Sequence, residues 1–239
     1  ARRQKQMTNG EICKKAFSKV KVKHLTAMSV ISYGMAAVSL LGMDLTGNGA
    51  LDLLIGLALG TAVCLGAFCG MNRVSMTAWR SGKAEYAEFF GGYTPGGFAR
   101  CILPAVIGGM MLTLMRRFVL GGSWWLALIT AAVLCAARML AGCAMYGMNV
   151  LEGNLPQAAA RGLQVGLKHF GQILEMEIRL YWWHAAVIAG TVLLCGACGA
   201  SGLATGLILL TEGAVLRYLV GSYNALAEAG LFRTLLAGE

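Results

Sequence analysis

The 239 residues are 57% apolar and only 13% charged, with a mean hydropathy of +0.65. A soluble domain carries about a quarter charged residues, so this chain has too few charges to clothe a water-facing surface. The net charge is +9, and the placement of that charge says more than its size, because eight of the 20 Lys and Arg precede residue 24. Most of the eight cysteines fall inside apolar runs, which is not the pattern of a secreted disulfide scaffold. The first apolar run is too long for a signal-peptide core and lacks a clear cleavage site.

Residues 1–23 form a basic amphipathic segment. Lys14, Lys15, Lys19, Lys21 and Lys23 interleave with Ile12, Ala16, Phe17, Val20 and Val22. This stretch fixes topology, and it can also lie on an anionic inner leaflet, each lysine contributing about 1 kcal/mol near the surface. No aromatic platform or binding fold accompanies it, so nucleic acid is not an expected partner.

A helix needs about 20 apolar residues to cross about 30 Å of hydrocarbon. Candidate spans run over 24–42, 51–71, 98–115, 123–146, 178–197 and 202–222. The last two come from one long apolar stretch divided at the Gly-rich turn 196–202. Without that division the chain has five spans. The expected fold is an all-α polytopic bundle of about six spans. It comprises a transmembrane domain over 24–222 with cytoplasmic loops 72–97 and 147–177, each partly an interfacial helix, and a cytoplasmic segment over 223–239. Seventeen of the 20 basic residues then fall on one side. Arg116 and Arg117 fall on the other, and Arg138 lies inside a span. The positive-inside rule therefore puts both termini in the cytoplasm of a plasma-membrane protein.

Ionisable residues within spans are the first candidates for function. Arg138 lies about 22 Å in from the outer end of its span, and Glu212 is about 7 Å shallower than Arg217, which matches the depth of Arg138. An Arg138–Glu212 contact is expected, with Arg217 and His184 nearby. It serves either as a polar pocket or as a structural ion pair between helices, unless Arg138 snorkels to the interface. Gly56-x-x-x-Gly60, Gly66-x-x-x-Gly70 and Gly202-x-x-x-Gly206 suit close helix packing within the chain, and also dimerisation. Cys195-Gly-Ala-Cys198 resembles a thiol redox pair but has no second pair to relay electrons. Gly199-Ala-Ser201-Gly202 is similar to an intramembrane serine-protease motif, but no histidine follows Ser201 to act as its base. Glu175 and Glu177 do not share a helix face. Trp124, Trp125, Tyr181, Trp182 and Trp183 suit an interfacial aromatic belt. No catalytic, cofactor-binding or metal residues are assigned.

The order of elements resembles a family of multi-pass integral membrane proteins of Gram-positive bacteria known only as a domain of unknown function. The likeness lies in the basic entry Lys14–Ala27, the segment Trp79–Tyr93 with its aromatic-glycine end, the amphipathic stretch Gly153–Gly171, and Tyr223–Leu236. Glu177 and Trp183 match an acidic residue and a tryptophan at the entry to span 5. Arg179, Tyr181 and Trp182 depart from the small or apolar types between them, and a Pro-Gly element between spans 3 and 4 is missing. The resemblance implies no catalytic residues.

These readings together predict a non-enzymatic membrane-organising, stress-related or transport-accessory component. Its partners are membrane lipids of the anionic inner leaflet and a second copy or another membrane protein. A transporter subunit with a polar intramembrane site, or a thiol oxidoreductase, are the alternatives.

Overall fold

The computed structural model describes residues 7–19, 24–41, 46–120, 124–151 and 154–237. Only the backbone is described at 36–41, 66–68, 111–112, 115–120, 124, 127–128, 131, 135, 138, 202–203, 206 and 237. All regular structure among these residues is helical: α1 (Asn9–Lys19), α2 (Leu25–Leu41), α3 (Gly49–Cys64), α4 (Met71–Ser81), α5 (Tyr86–Phe89), α6 (Pro95–Leu120), α7 (Trp124–Val150), α8 (Leu155–Lys168), α9 (Phe170–Ala197), α10 (Gly202–Leu216) and α11 (Ser222–Ala237).

Local chemistry explains the helix ends. Thr8 and Glu11 cap α1 reciprocally, the Glu11 carboxylate accepting from Thr8 N at 2.8 Å and Thr8 Oγ1 from Glu11 N at 3.3 Å. Asn48 caps α3 by accepting from Ala50 N at 3.0 Å. Gly82, at φ +71, ends α4 in the left-handed conformation that lets its N–H reach Ala78 O. Thr94 precedes Pro95 and accepts from Gly97 N at 3.2 Å, starting α6. Cys198–Ser201 is the expected turn between α9 and α10, with Gly199 at φ +65. Ser201 caps α10 through Ala204 N at 3.2 Å, which is a structural role for the serine of the protease-like motif.

Each expected apolar segment coincides with a helix, but several helices extend further. α9 begins at Phe170, eight residues before the expected span. α3 runs through a π turn at Leu65–Gly70 into α4, and α10 runs through a second at Arg217–Gly221 into α11. Both π turns end on a glycine where a neighbour presses close. A Cβ on Gly70 would lie 2.2 Å from Phe89 O, and one on Gly221 would lie 2.0 Å from Ser29 Oγ. A π turn also loosens the helical hydrogen-bond ladder, and Ser29 Oγ donates to Arg217 O at 3.4 Å.

The bundle has two unlike ends. At one end α1, α4, α8 and α11 pack with the adjoining ends of α7 and α9 around Trp79, Tyr146, Ile173, Met176, Leu226, Leu231 and Leu235, all buried. α11, within the C-terminal segment, is a central helix of this end. The amphipathic helices expected in the N-terminal segment and on the loops turn their apolar faces into the protein: Ile12 and Ala16 of α1 are fully buried, and α4 packs on α11. At the other end large apolar side chains face outward, among them Leu54, Ile129, Leu193 and Leu207. Among the described residues, two helical stretches are long and apolar enough to cross a membrane, Ala132–Val150 and Phe170–Ala197, and Leu25–Met35 and Gly49–Cys64 are shorter apolar stretches.

Small residues set the close contacts. A Cβ on Gly60 would meet Gly109 Cα at 3.0 Å, joining α3 to α6, and one on Gly162 would lie 2.4 Å from Cys143 O, joining α8 to α7. Gly60, from the first small-residue repeat, is therefore used within the chain.

Candidate functional site

The sequence-derived cluster is placed in part. Glu212 accepts from Thr191 Oγ1 at 3.0 Å, tying α10 to α9, while its second oxygen, Oε2, is buried without a hydrogen bond. The His184 ring lies 3.9 Å from that of Trp183, tilted by 42°, and 5.4 Å from that of Tyr181. Its Nδ1 is also buried without a partner. Glu212 and Arg217 are both near enough to act electrostatically on Tyr33, whose hydroxyl donates to Leu210 O at 3.0 Å. Among the described side chains, no cation lies within ion-pair distance of Glu212. The side chain of Arg138 lies outside the described residues, and with it the expected Arg138–Glu212 contact.

Of the surface lysines, Lys14 and Lys15 are exposed. Lys19 donates to Trp79 O at 2.5 Å. Lys15 and Lys19 lie 5.0 and 5.8 Å from the Trp79 ring, close enough for a cation–π attraction. Burial, followed by the charges of Lys15 and Arg233, pulls the Lys19 pKa below its ordinary value. Lys21 and Lys23 lie outside the described residues. Cys195 is buried, Cys198 is exposed, and both are free thiols.

A cleft of about 320 Å³ lies elsewhere, between α7 and α9, two helices that make little direct contact. Met139, Leu174, Ile178 and Trp182 form its apolar walls, while Asn72, Tyr146, Glu177, Tyr181 and Glu228 supply polar groups. The packed end holds those groups in place. Tyr146 donates to Asn72 Oδ1 at 2.9 Å, and its ring stacks on Phe232 at 4.2 Å and 16°. Tyr181 donates to the Glu228 carboxylate in a short hydrogen bond. Glu177 and Glu228 both act electrostatically on Tyr146 and Tyr181. Asn72 is only 4% exposed, yet its Nδ2 has no acceptor.

No family model, curated protein or solved structure matches the chain.

Of the cleft residues, Glu177, Tyr181 and Trp182 stand out in the sequence, whereas Asn72, Tyr146 and Glu228 escape a reading by local pattern. Glu177 does not share a helix face with Glu175, two residues away; its neighbour on the helix is Tyr181, four residues on. Asn72 follows directly on an apolar run, and Glu228 sits in an alanine-rich helix. Each is a polar residue at the edge of buried surface, which is the signal available without coordinates. Buried polar groups are normally satisfied, and the Asn72 amide is one that finds no acceptor among the described residues.

Proposed function

We propose that this chain is a multi-pass membrane protein crossing the bilayer with six apolar helices, its packed end and both termini on the cytoplasmic side. It acts without catalysis, as a membrane-organising or transport-accessory component that holds an amphiphile in the α7–α9 cleft. The outward-facing apolar surface of α9 carries the membrane reading. Only 11% of the apolar window in Phe170–Ala197 is buried, whereas a core helix of a soluble protein is mostly buried and exposed apolar patches there are small. Trp125, 80% exposed, stands roughly 31 Å along α7 from Tyr146, close to the thickness of the hydrocarbon layer. Among the described residues, Lys14, Lys15, Lys19, Arg73, Arg80 and Arg233 lie on helices of the packed end, in keeping with the positive-inside rule.

The cleft suits a binder. Its walls are apolar, its polar groups gather around Asn72, Tyr146, Tyr181 and Glu228, and its volume is at the low end of the roughly 300–1,000 Å³ that hold small ligands. An apolar body carrying a hydroxyl-like head satisfies both ends. The head donates to a carboxylate among the polar groups of the floor. Glu212, Arg217 and His184 do not line this cleft, so the binder does not depend on the polar pathway that a transporter would need.

Gly142 allows a clean test. It lines the cleft, and a Cβ there would meet nothing within 4 Å. Gly142→Leu should fill the cleft without disturbing the fold. Native mass spectrometry of protein released from mild detergent should show one retained amphiphile on the parent chain and none on Gly142→Leu at equal thermal stability. Equal retention by both proteins would refute the reading.

A further inference from the structure

A second hollow, of about 250 Å³, lies at the packed end away from the α7–α9 cleft, and four arginines line it: Arg73 and Arg80 of α4, Arg100 of α6 and Arg233 of α11. Arg73, Thr77 and Arg80 recur at helical spacing and share one face of α4. Glu88 is the one carboxylate in the lining. Among the described residues, no carboxylate lies within 4 Å of any of the four guanidinium groups. A structural salt-bridge cluster would place them in contact. Here Arg100 Nε and Glu88 Oε2 are both buried without a hydrogen-bond partner. Lys19, just beyond, lies close enough to Arg233 to feel its charge.

The arrangement is held open by backbone design. A Cβ on Gly91 would lie 3.1 Å from Arg73 Cζ, and one on Gly97 would lie 2.8 Å from Arg73 Nη1. Glycine at both positions clears a bed for the guanidinium, which donates to Gly91 O at 3.4 Å. Arg73 is thus seated on the loop after α5 instead of lying free on the surface.

We propose that this hollow is a phosphate-binding site, taking the phosphate of an anionic lipid headgroup or of a small phosphorylated solute. Clustered guanidinium groups repel one another unless an anion joins them. Their planar forks match the oxygens of a phosphate, with two parallel hydrogen bonds per arginine. Arg100 brings its guanidinium to the same lining as Arg73, Arg80 and Arg233. The volume falls below the roughly 300–1,000 Å³ of sites for larger ligands, so the site accepts a phosphate with a small substituent. Glu88 opposes the charge of the anion and limits affinity.

The two sources separate in one set of titrations on the full chain in phosphatidylcholine nanodiscs, read as saturable shifts in thermal stability. Saturation by inorganic phosphate identifies a soluble ligand. Saturation by short-chain phosphatidylglycerol alone identifies a lipid headgroup. For whichever probe binds, Arg100→Gln should weaken binding about tenfold or more, since it removes a charge-assisted donor. Glu88→Gln should tighten binding. Glu175→Gln makes the same change of net charge at an exposed carboxylate paired with Arg179 at 3.2 Å, and should leave affinity within about twofold, as should Arg161→Gln at an exposed arginine of α8. Glu88→Gln keeps the proposal testable if Arg100→Gln fails to fold. Absence of saturable binding by both probes would overturn the proposal. So would equal effects of Glu88→Gln and Glu175→Gln, or of Arg100→Gln and Arg161→Gln.

Discussion

Tyr181→Phe is the sharpest perturbation of the packed floor beneath the α7–α9 cleft. The ring is kept and only the hydroxyl is lost, so packing is unchanged while Glu228 loses its donor. Glu228 is 7% exposed, and water cannot readily replace that donor. A hydrogen bond to a charged group contributes about 1.5–3 kcal/mol. For a chain of this size each kcal/mol moves the melting temperature by about 2–4 °C, so the variant should melt about 3–12 °C lower. Tyr218→Phe provides the control: Tyr218 is 65% exposed, and such surface changes stay within about 0.5 kcal/mol. Glu228→Gln retains an acceptor and should cost less, and the double variant should lose less than the two single losses added, because the residues share one contact. Thermal unfolding followed with a thiol-reactive dye, in one detergent at one protein concentration, reads all four proteins. If Tyr181→Phe melted with Tyr218→Phe, the floor would not be held as described.

Gly162→Ala forces a Cβ to 2.4 Å from Cys143 O and should destabilise the chain by about 1–3 kcal/mol. Gly142→Ala, with open space around its Cβ, should stay within about 0.5 kcal/mol in the same denaturant titration. Trp79→Ala empties a site that is 5% exposed and removes the ring over which Lys15 and Lys19 sit. A loss of about 3–5 kcal/mol is expected, read as a shift of the denaturation midpoint. Burial, with the Cys13 thiol beside it, pushes the Tyr223 phenol up to about 12, while in the unfolded chain it ionises near 10. Above pH 10 the unfolded state therefore holds fewer protons than the folded one. Stability contributed by this group is intact below pH 10 and falls as the pH rises toward 12. Tyr223→Phe should lessen that alkaline fall, measured as the difference between the two proteins' stability at pH 9 and pH 11.

The helical segments were legible because length and hydropathy are local properties. The turn at Cys198–Ser201 was legible because glycines interrupt an apolar run too long for one crossing. The start of α9 was placed late because Glu175, Glu177 and Arg179 interrupt hydropathy without interrupting the helix. Glu175 and Arg179 pair at 3.2 Å on one exposed face, and Glu177 lines the cleft. The central place of α11 was not legible because Ser222–Ala237 is only mildly apolar. Its burial depends on α1 and α4, more than 140 residues earlier in the chain. The π turns that join it to α10, and α4 to α3, leave no hydropathy signal.

The polar sites were the least legible. Tyr146 finds Asn72 across 74 residues and Tyr181 finds Glu228 across 47. Neither spacing forms a pattern. In the sequence the basic residues read only as topology signals. That Arg73, Arg80, Arg100 and Arg233 converge on one hollow depends on how α4, α6 and α11 pack. The intramembrane candidates stood out because charge in an apolar helix is conspicuous. Glu212, Arg217 and His184 do not line the described cleft.

Sidedness tests the central claim most directly. Cys198 is an exposed free thiol at the α9–α10 turn, and Ser81, exposed at the end of α4, can be replaced by cysteine in a Cys198→Ser background. With a membrane-impermeant maleimide on intact cells, Cys198 should label from outside, and Ser81→Cys only after the membrane is opened. Labelling of both positions from the same side, or recovery of the chain as a monodisperse protein in detergent-free buffer, would contradict the account.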